Sequence, residues 1–387
     1  MDLRDPDLRG PGDEPMVAKW GTTHPSAPLV VLLHGNGTSE HSLIEISPWL
    51  PHGPVAYAAL RGPIQHGKGF RWWRDGPPEP DDLAATCTWV LSWIAGTGDP
   101  DRPVLLLAFR DGVTLAGALM AAAPERFSGA VLLYGALPDP PPRQRGRLSG
   151  MPVFLAHATE DPRTPADRLD RTWTWLARES GAPLWAERVP GGAQLAGSVV
   201  GGVGTWLADR LDFLRAHGEN PLPDGDEPRW PSLRGPLPQR SGPAPECTTR
   251  IPQQQLDQHG PAALHDALWE RLAALDGVTT KPARIGPDGT RSLLLERAGG
   301  AGPDEAFLVP DDGEFAHQHP APDASLHVVL PDPLAYDGIA KGWAVPHPLA
   351  GVRLPRGTVL VPGPRDAAEL DVVAGIAAAA HAFAAAG

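Results

Sequence analysis

Between residues 29 and 214 the chain alternates short apolar runs with helical patterns, and that alternation leaves few choices of fold. The apolar runs fall at 29–34, 55–60, 104–108, 130–134, 153–156 and 184–189. They are rich in Val, Leu and Ala at successive positions, as strands covered on both faces must be. Helical patterns lie between them at 81–94, 111–123, 165–179 and 198–215. Such strand–helix–strand units predict an α/β architecture, a mostly parallel sheet with helices on both faces.

The alternation ends near residue 218. Prolines crowd 221–252 and apolar periodicity disappears, so too little surface can be buried to offset ordering entropy. A Pro-rich linker is therefore expected over 218–255. Beyond it, Leu264, Leu268, Leu272 and Leu275 mark one face of a helix over 261–275, and Gly277 supplies its stop. Short strands are predicted at 292–296, 306–309, 325–330 and 357–361, and a last helix over 367–385. This pattern predicts a second, smaller α+β domain. The expected division is a flexible segment 1–16, an α/β domain 17–217, the linker 218–255 and an α+β domain 256–387.

Composition narrows the functional classes. A length of 387 residues accommodates two domains of ordinary size. A net charge of −13 without any Lys/Arg cluster excludes a nucleic-acid partner, which needs a basic face to release counterions. Cys87 and Cys247 stand far apart and read as incidental thiols of a cytoplasmic protein. The start, Met1-Asp-Leu-Arg-Asp-Pro6, lacks the apolar core of a signal peptide. The alanine-rich stretch 372–387 is shorter than a membrane span and is interrupted by His381, so a packed helix is expected there.

The run at 103–108 leads into Phe109-Arg-Asp-Gly112 and then a helix. A nucleophile elbow of the G-x-S-x-G type needs this strand–turn–helix setting, and Ala108 and Gly112 are small enough for its bend. Arginine stands at the central position, and a guanidinium cannot attack a carbonyl. Around it stand His34-Gly-Asn-Gly37, Leu60-Arg-Gly-Pro63, Gly67-Lys-Gly-Phe-Arg-Trp72, Pro124-Glu-Arg126, His157-Ala-Thr-Glu-Asp161 and Pro190-Gly-Gly-Ala193. In this order the motifs resemble the carboxylesterase/phospholipase/thioesterase branch of the α/β-hydrolases, over about residues 28 to 215. The resemblance implies an oxyanion loop at His34, Gly35, Asn36 and Gly37, with Asp111 beside it, and a triad acid at Asp161. It places Arg110 at the serine position and Ala193 at the histidine position, so two triad members are replaced. An aspartate elbow shifted to Asp111 fails, because Phe109 and Val113 would then flank the strained bend. Arg110 is expected to pair with Asp161 or an adjacent carboxylate, or to receive a carboxylate or phosphate ligand. Trp72 and Trp73 match the family's aromatic loop and are candidates for ligand contact or loop packing.

A second set of motifs reads Phe315-Ala-His-Gln-His-Pro320, Ser325-Leu-His-Val-Val-Leu-Pro331, Gly342-Trp-Ala-Val-Pro-His-Pro348 and Gly363-Pro-Arg-Asp-Ala-Ala-Glu-Leu370. It is similar to a bacterial and fungal domain family known as luciferase-like. No flavin or nucleotide fingerprint accompanies it. His317 and His319 fall on one face of an extended strand, His327 on the next strand, and His347 in a loop after a helix at 331–341. These four imidazoles allow a divalent metal site, a non-metal polar site for proton transfer, or structural hydrogen bonding. Trp343 and Arg365 are further candidates to line the site.

The functional expectation is a non-hydrolytic, ligand- or partner-binding esterase-like module joined to a luciferase-like domain with a His-rich site. The alternatives are a hydrolase with an unorthodox site, or an enzyme whose chemistry resides in the histidines. The partner, small molecule or protein, and any cofactor beyond a divalent metal are not specified by the sequence.

Overall fold

In the computed structural model, residues 15–74, 76–139, 146–192, 194–218, 237–295 and 302–385 are described. The chain divides into two units, residues 1–176 with 186–221 and residues 177–185 with 222–387.

The first unit is built from β1 (Val17–Gly21), β2 (Leu29–Leu33), β3 (Ala56–Leu60), a small hairpin of β4 (Ile64–His66) and β5 (Gly69–Arg71), and α1 (Pro80–Ala95). There follow β6 (Val104–Phe109), α2 (Asp111–Ala122), β7 (Gly129–Leu133), β8 (Val153–Ala158), α3 (Ala166–Arg178), β9 (Leu184–Val189) and α4 (Gly197–His217). The seven-stranded sheet runs β1-β3-β2-β6-β7-β8-β9. β2 pairs in parallel with β3 and β6, and β7 in parallel with β6 and β8, while β1 joins the edge antiparallel. Every residue of β2 and of β7 is buried, which is why these strands read as unbroken apolar runs. This is the mostly parallel sheet, flanked by helices, that the strand–helix alternation predicts. β1 escaped the sequence reading because Val17-Ala-Lys-Trp-Gly21 is a half-exposed edge strand with little apolar signal.

The second unit comprises α5 (Ala262–Ala273), β10 (Val278–Pro282), β11 (Arg291–Leu295), β12 (Glu314–Gln318), β13 (Leu326–Val329), α6 (Asp332–Ala340), β14 (Val345–Pro346), β15 (Thr358–Val361) and α7 (Ala367–Ala385). Its six strands form a separate antiparallel sheet, β10-β11-β12-β13-β15-β14. Leu268 and Leu272 of α5 and Leu370, Val373, Ile376, Ala380 and Phe383 of α7 join Leu293, Phe315, Ala316, Val328, Val359 and Val361 of the sheet in one core. The helix α7 has 19 residues, long and apolar enough to cross a membrane by length and composition. Its stripe at spacings of three and four is nonetheless buried in this core.

Two expectations are corrected. The Pro-rich stretch is not linker throughout. Leu237 enters the core, Gln253 and Gln255 are buried, and Cys247 bridges to Gln255. Side chain-to-backbone bonds such as Gln253 Nε2 to the Pro346 carbonyl (3.0 Å) hold this segment, and periodicity does not register them. Residues 219–236, the rest of the expected linker, lie outside the described residues, as do 1–14 of the N-terminal segment. The strand expected at 306–309 is two short 3₁₀ turns, Asp304–Ala306 and Pro310–Asp312, with only an isolated bridge from Val309 to Glu314. The strand that bears the first two histidines, β12, lies after these turns.

Candidate functional site

The strand–turn–helix bend expected of an elbow is present in the backbone, with Arg110 at its centre. β6 ends at Phe109, α2 begins at Asp111, and Arg110 between them has φ 53° and ψ −118°. A positive φ at a bulky residue other than glycine is strained. Two glycines hold it there. A Cβ on Gly112 would lie 2.2 Å from the Leu33 carbonyl oxygen, and one on Gly135 would lie 2.1 Å from that of Arg110. Arg110 N–H donates to the Leu133 carbonyl at 2.9 Å, so the sheet itself fixes the bend.

Arg110 directs its guanidinium at Asp161. Nη1 and Oδ2 are 3.7 Å apart, an ion pair longer than a hydrogen bond, with the carboxylate side chain 1 % exposed. Burial is the main influence on Arg110 and lowers its pKa, and Asp161 opposes that shift. The pairing expected of this substitution is thus formed. Ala193, at the family's histidine position, lies outside the described residues.

The loop at 34–37, expected to be an oxyanion loop, has its amides bonded from within. Asn36 N–H donates to Asp111 Oδ2 (3.0 Å), Gly37 N–H to the Phe70 carbonyl (2.8 Å) and Thr38 N–H to the Gly35 carbonyl (3.2 Å). A carboxylate on the loop repels a developing oxyanion instead of stabilising it. His34 receives Gly62 N–H on Nε2 (3.0 Å), which leaves its proton on Nδ1 to donate to the Gly35 carbonyl (2.8 Å). Burial lowers its pKa and keeps the ring neutral. Trp72 is fully buried, donates from Nε1 to the His34 carbonyl (2.7 Å) and packs on the His34 ring. Trp73 is buried too, its Nε1 donating to Gly76. Both tryptophans are loop-packing residues, which corrects their candidacy as ligand contacts. A cleft of about 1030 Å³ lined by Pro28, Val55, Pro103 and Leu211 opens at the amino ends of β2, β3 and β6. The elbow is at the opposite, carboxyl ends, where parallel sheets carry their ligands.

The second unit concentrates its polar groups on one sheet face. Register places Ser292, His317, His327 and Leu360 in a single row across β11, β12, β13 and β15. His319 is two residues beyond His317 and shares its face. A β-bulge on β12 adds a further group: Leu293 pairs with Ala316 but Leu294 with Glu314. The extra residue, Phe315, turns to the core with Ala316, so Glu314 and His317 share the polar face despite being three residues apart.

His317 Nδ1 is 2.8 Å from Glu314 Oε1, and Ser292 Oγ donates to the other carboxylate oxygen at 2.6 Å. His317 Nε2 faces His327 Nδ1 at 2.9 Å, and His327 Nε2 faces Gln253 Oε1 at 3.2 Å. His319 Nδ1 is 2.7 Å from Asp323 Oδ2, and Ser325 donates to the same carboxylate. One nitrogen from each of His317, His319 and His327 lies within 4.8 Å of the others. Burial pushes the pKa of His317 down and that of His327 well below its ordinary value. Burial works to raise Asp323, and its bonds from His319 and Ser325 outweigh that and leave it lowered.

His347 stands beside the cluster, its ring 5.0 Å from that of His327, with a pKa pushed by burial to about 3. Its Nδ1 accepts Leu349 N–H at 3.1 Å. Two candidates are corrected. Trp343 belongs to the core and donates to the Pro238 carbonyl. Arg365 is held by Glu369 (Nε to Oε1, 2.9 Å), Gln258 and Ser241. The residues the sequence reading missed are Glu314, Asp323, Gln253 and Ser292. Asp323 follows His319 by four positions and was open to notice. The others depend on a bulge, a cross-strand register and a segment read as linker.

Residues 312–380 match the family model described as Luciferase domain. The match spans β12, β13 and the four histidines. A curated relative, "Putative esterase NocK" of Nocardia uniformis subsp. tsuyamanensis, is 29% identical over 147 residues, 37% of this chain and 42% of that protein. The chain thus spans about two fifths of that relative's length. Among solved structures, the Bacillus cereus carboxylesterase is similar with TM-score 0.46 and 20% identity, over 51% of this chain and 95% of its own. Zea mays acyl-protein thioesterase 2 is similar with TM-score 0.44 and 18% identity, over 51% of this chain and 99% of its own.

Proposed function

We propose that the first unit is a non-hydrolytic, esterase-like module that binds a partner or ligand, and that any chemistry of this chain resides in the histidine centre of the luciferase-like region. One observation carries the reading: Arg110 occupies the strained elbow and is paired with Asp161. A serine elbow presents an uncharged nucleophile to a neutral imidazole, whereas this one presents a protonated guanidinium to a buried carboxylate. The capture of Asn36 N–H by Asp111 supports it further, since an oxyanion would have to displace a carboxylate.

The full-length chain is to be assayed with short-chain aryl esters and an acyl thioester. No turnover above buffer is expected, and Arg110→Ser alone remains inactive because alanine stands at position 193, where the resemblance implies the base. Turnover that disappears in Arg110→Ala or Asp161→Ala, with the fold retained by circular dichroism, overturns the reading.

A further inference from the structure

We propose that His317, His319 and His327 form a three-nitrogen site for a first-row divalent transition-metal ion of the zinc type, bound through His317 Nε2, His319 Nε2 and His327 Nδ1. The proposal rests on the reading that the second unit carries the chemistry, and it names what the histidine centre holds.

Counting protons along the network leads there. Glu314 receives the Ser292 hydroxyl on one oxygen and faces His317 Nδ1 with the other, so this nitrogen carries the proton. Gln253 spends its NH₂ on the Pro346 carbonyl, which turns its amide oxygen toward His327 Nε2 and places a proton there. The nitrogens left over, His317 Nε2 and His327 Nδ1, face each other at 2.9 Å. In neutral rings both are bare lone pairs, which repel at that distance. A positive centre has to lie between them, either a proton or a metal ion.

His319 decides between the two. Its Nδ1 proton goes to Asp323, leaving a lone pair on Nε2. That atom is buried and has no hydrogen-bond partner among the described residues, a state that costs about 1–3 kcal/mol in a protein interior. A proton between His317 and His327 satisfies two lone pairs and leaves His319 Nε2 unsatisfied. A metal ion satisfies all three.

The outer contacts fit as well. His317 and His319 each give the far ring N–H to a carboxylate, and His327 gives its own to an amide oxygen. Such partners fix tautomer and ring orientation and raise ligand basicity. Zn–N bonds of about 2.0–2.1 Å set nitrogen–nitrogen edges of about 3.3 Å, so the rings need to move by about 1–1.5 Å at most. Imidazole donors select zinc and its neighbours over calcium or magnesium, which require oxygen ligands. His347 stands outside the ligand set. Its Nδ1 is taken by Leu349 N–H, so the neutral ring carries its proton on Nε2 and offers no second lone pair. Three protein ligands leave a fourth position for water or substrate.

The test uses full-length protein stripped with EDTA and dialysed against Zn²⁺ or Co²⁺, with metal per chain measured by mass spectrometry. One ion per chain is expected, with the visible d–d bands of a tetrahedral site for Co²⁺. His319→Ala is expected to lose the ion and His347→Ala to keep it. Asp323→Asn, which preserves volume and serves if His319→Ala fails to fold, is expected to weaken binding about 10–100-fold. Folded protein that takes up neither ion stoichiometrically overturns the proposal. So does uptake unchanged in both His319→Ala and Asp323→Asn, or uptake lost in folded His347→Ala. Metal content is read without any ester substrate, so this proposal and the loss of hydrolysis in the first unit fail separately.

Discussion

The elbow and the histidine centre are both buried polar sites at a sheet, and they are held in opposite ways. At the elbow the backbone is fixed and the side chain is free to vary. Arg110 keeps φ 53° because Gly112 and Gly135 admit the turn and the Leu133 carbonyl binds its N–H. None of these contacts involves the side chain. In the histidine centre the backbone is strand with a one-residue bulge, and side-chain acceptors fix the three clustered rings. A site held by backbone can lose its chemistry in one substitution and keep its shape. One held by side chains loses its shape as soon as one partner is removed.

That contrast is breakable by experiment. The largest effect is expected from Gly135→Val, which drives a side chain into the Arg110 carbonyl and should cost at least about 4 kcal/mol or prevent folding of the first unit. Hydrogen exchange of the amides of β6 and α2 measures it, and a loss below about 1 kcal/mol means the turn is not backbone-held. Glu314→Ala comes next. It strands the Ser292 hydroxyl and the His317 N–H without water, and about 3 kcal/mol is expected from urea unfolding followed in the second unit.

An acid titration sharpens the comparison inside the first unit. Burial, opposed by the bond to the Gly135 carbonyl, pushes the His157 imidazole down to about 4 from an ordinary 6.5. The unfolded chain therefore takes up this proton at a higher pH than the folded one. Stability is complete above about 6.5 and declines as pH falls toward about 4, by up to about 3 kcal/mol. A urea midpoint that stays flat over this window, or a slope unchanged in His157→Phe, removes His157 as its source.

Smaller effects are expected where the elbow's side chains change. Asp161→Asn should cost about 1 kcal/mol, because the guanidinium approaches Oδ2 only to 3.7 Å and the amide keeps an oxygen at the same place. Arg110→Gly gives up the ion pair and gains relief from positive φ, so thermal melting should register a change within about 1 kcal/mol. A loss matching that of Glu314→Ala would mean the guanidinium, and not the backbone, holds the elbow.

Much of this was legible in the chain. Runs such as Leu29–Leu33 announce buried strands, and the small residues beside Arg110 announce the turn. His317 and His319 had to share a face in an extended segment, and their ring centroids lie 5.6 Å apart. Legibility failed where contacts are nonlocal. Gln253 stands among prolines, and nothing in its neighbours says that it reaches His327. Glu314 lies three residues from His317, a spacing that puts the two on opposite faces of a regular strand, and only the Phe315 bulge reverses that. Trp72, Trp73 and Trp343 looked available for ligands because sequence does not report burial, and Arg365 because it does not report partners.

The sequence by itself determined the two architectures and the arginine at the centre of the strand–turn–helix bend, since hydrophobic period and side-chain chemistry are local properties. Tertiary structure alone decided which groups meet: Arg110 with Asp161, Asp111 with the Asn36 amide, and three imidazoles with their bare nitrogens turned together. Those meetings depend on strand register, a one-residue bulge and chain segments brought together from as far as 75 positions apart. A periodic pattern carries no record of them.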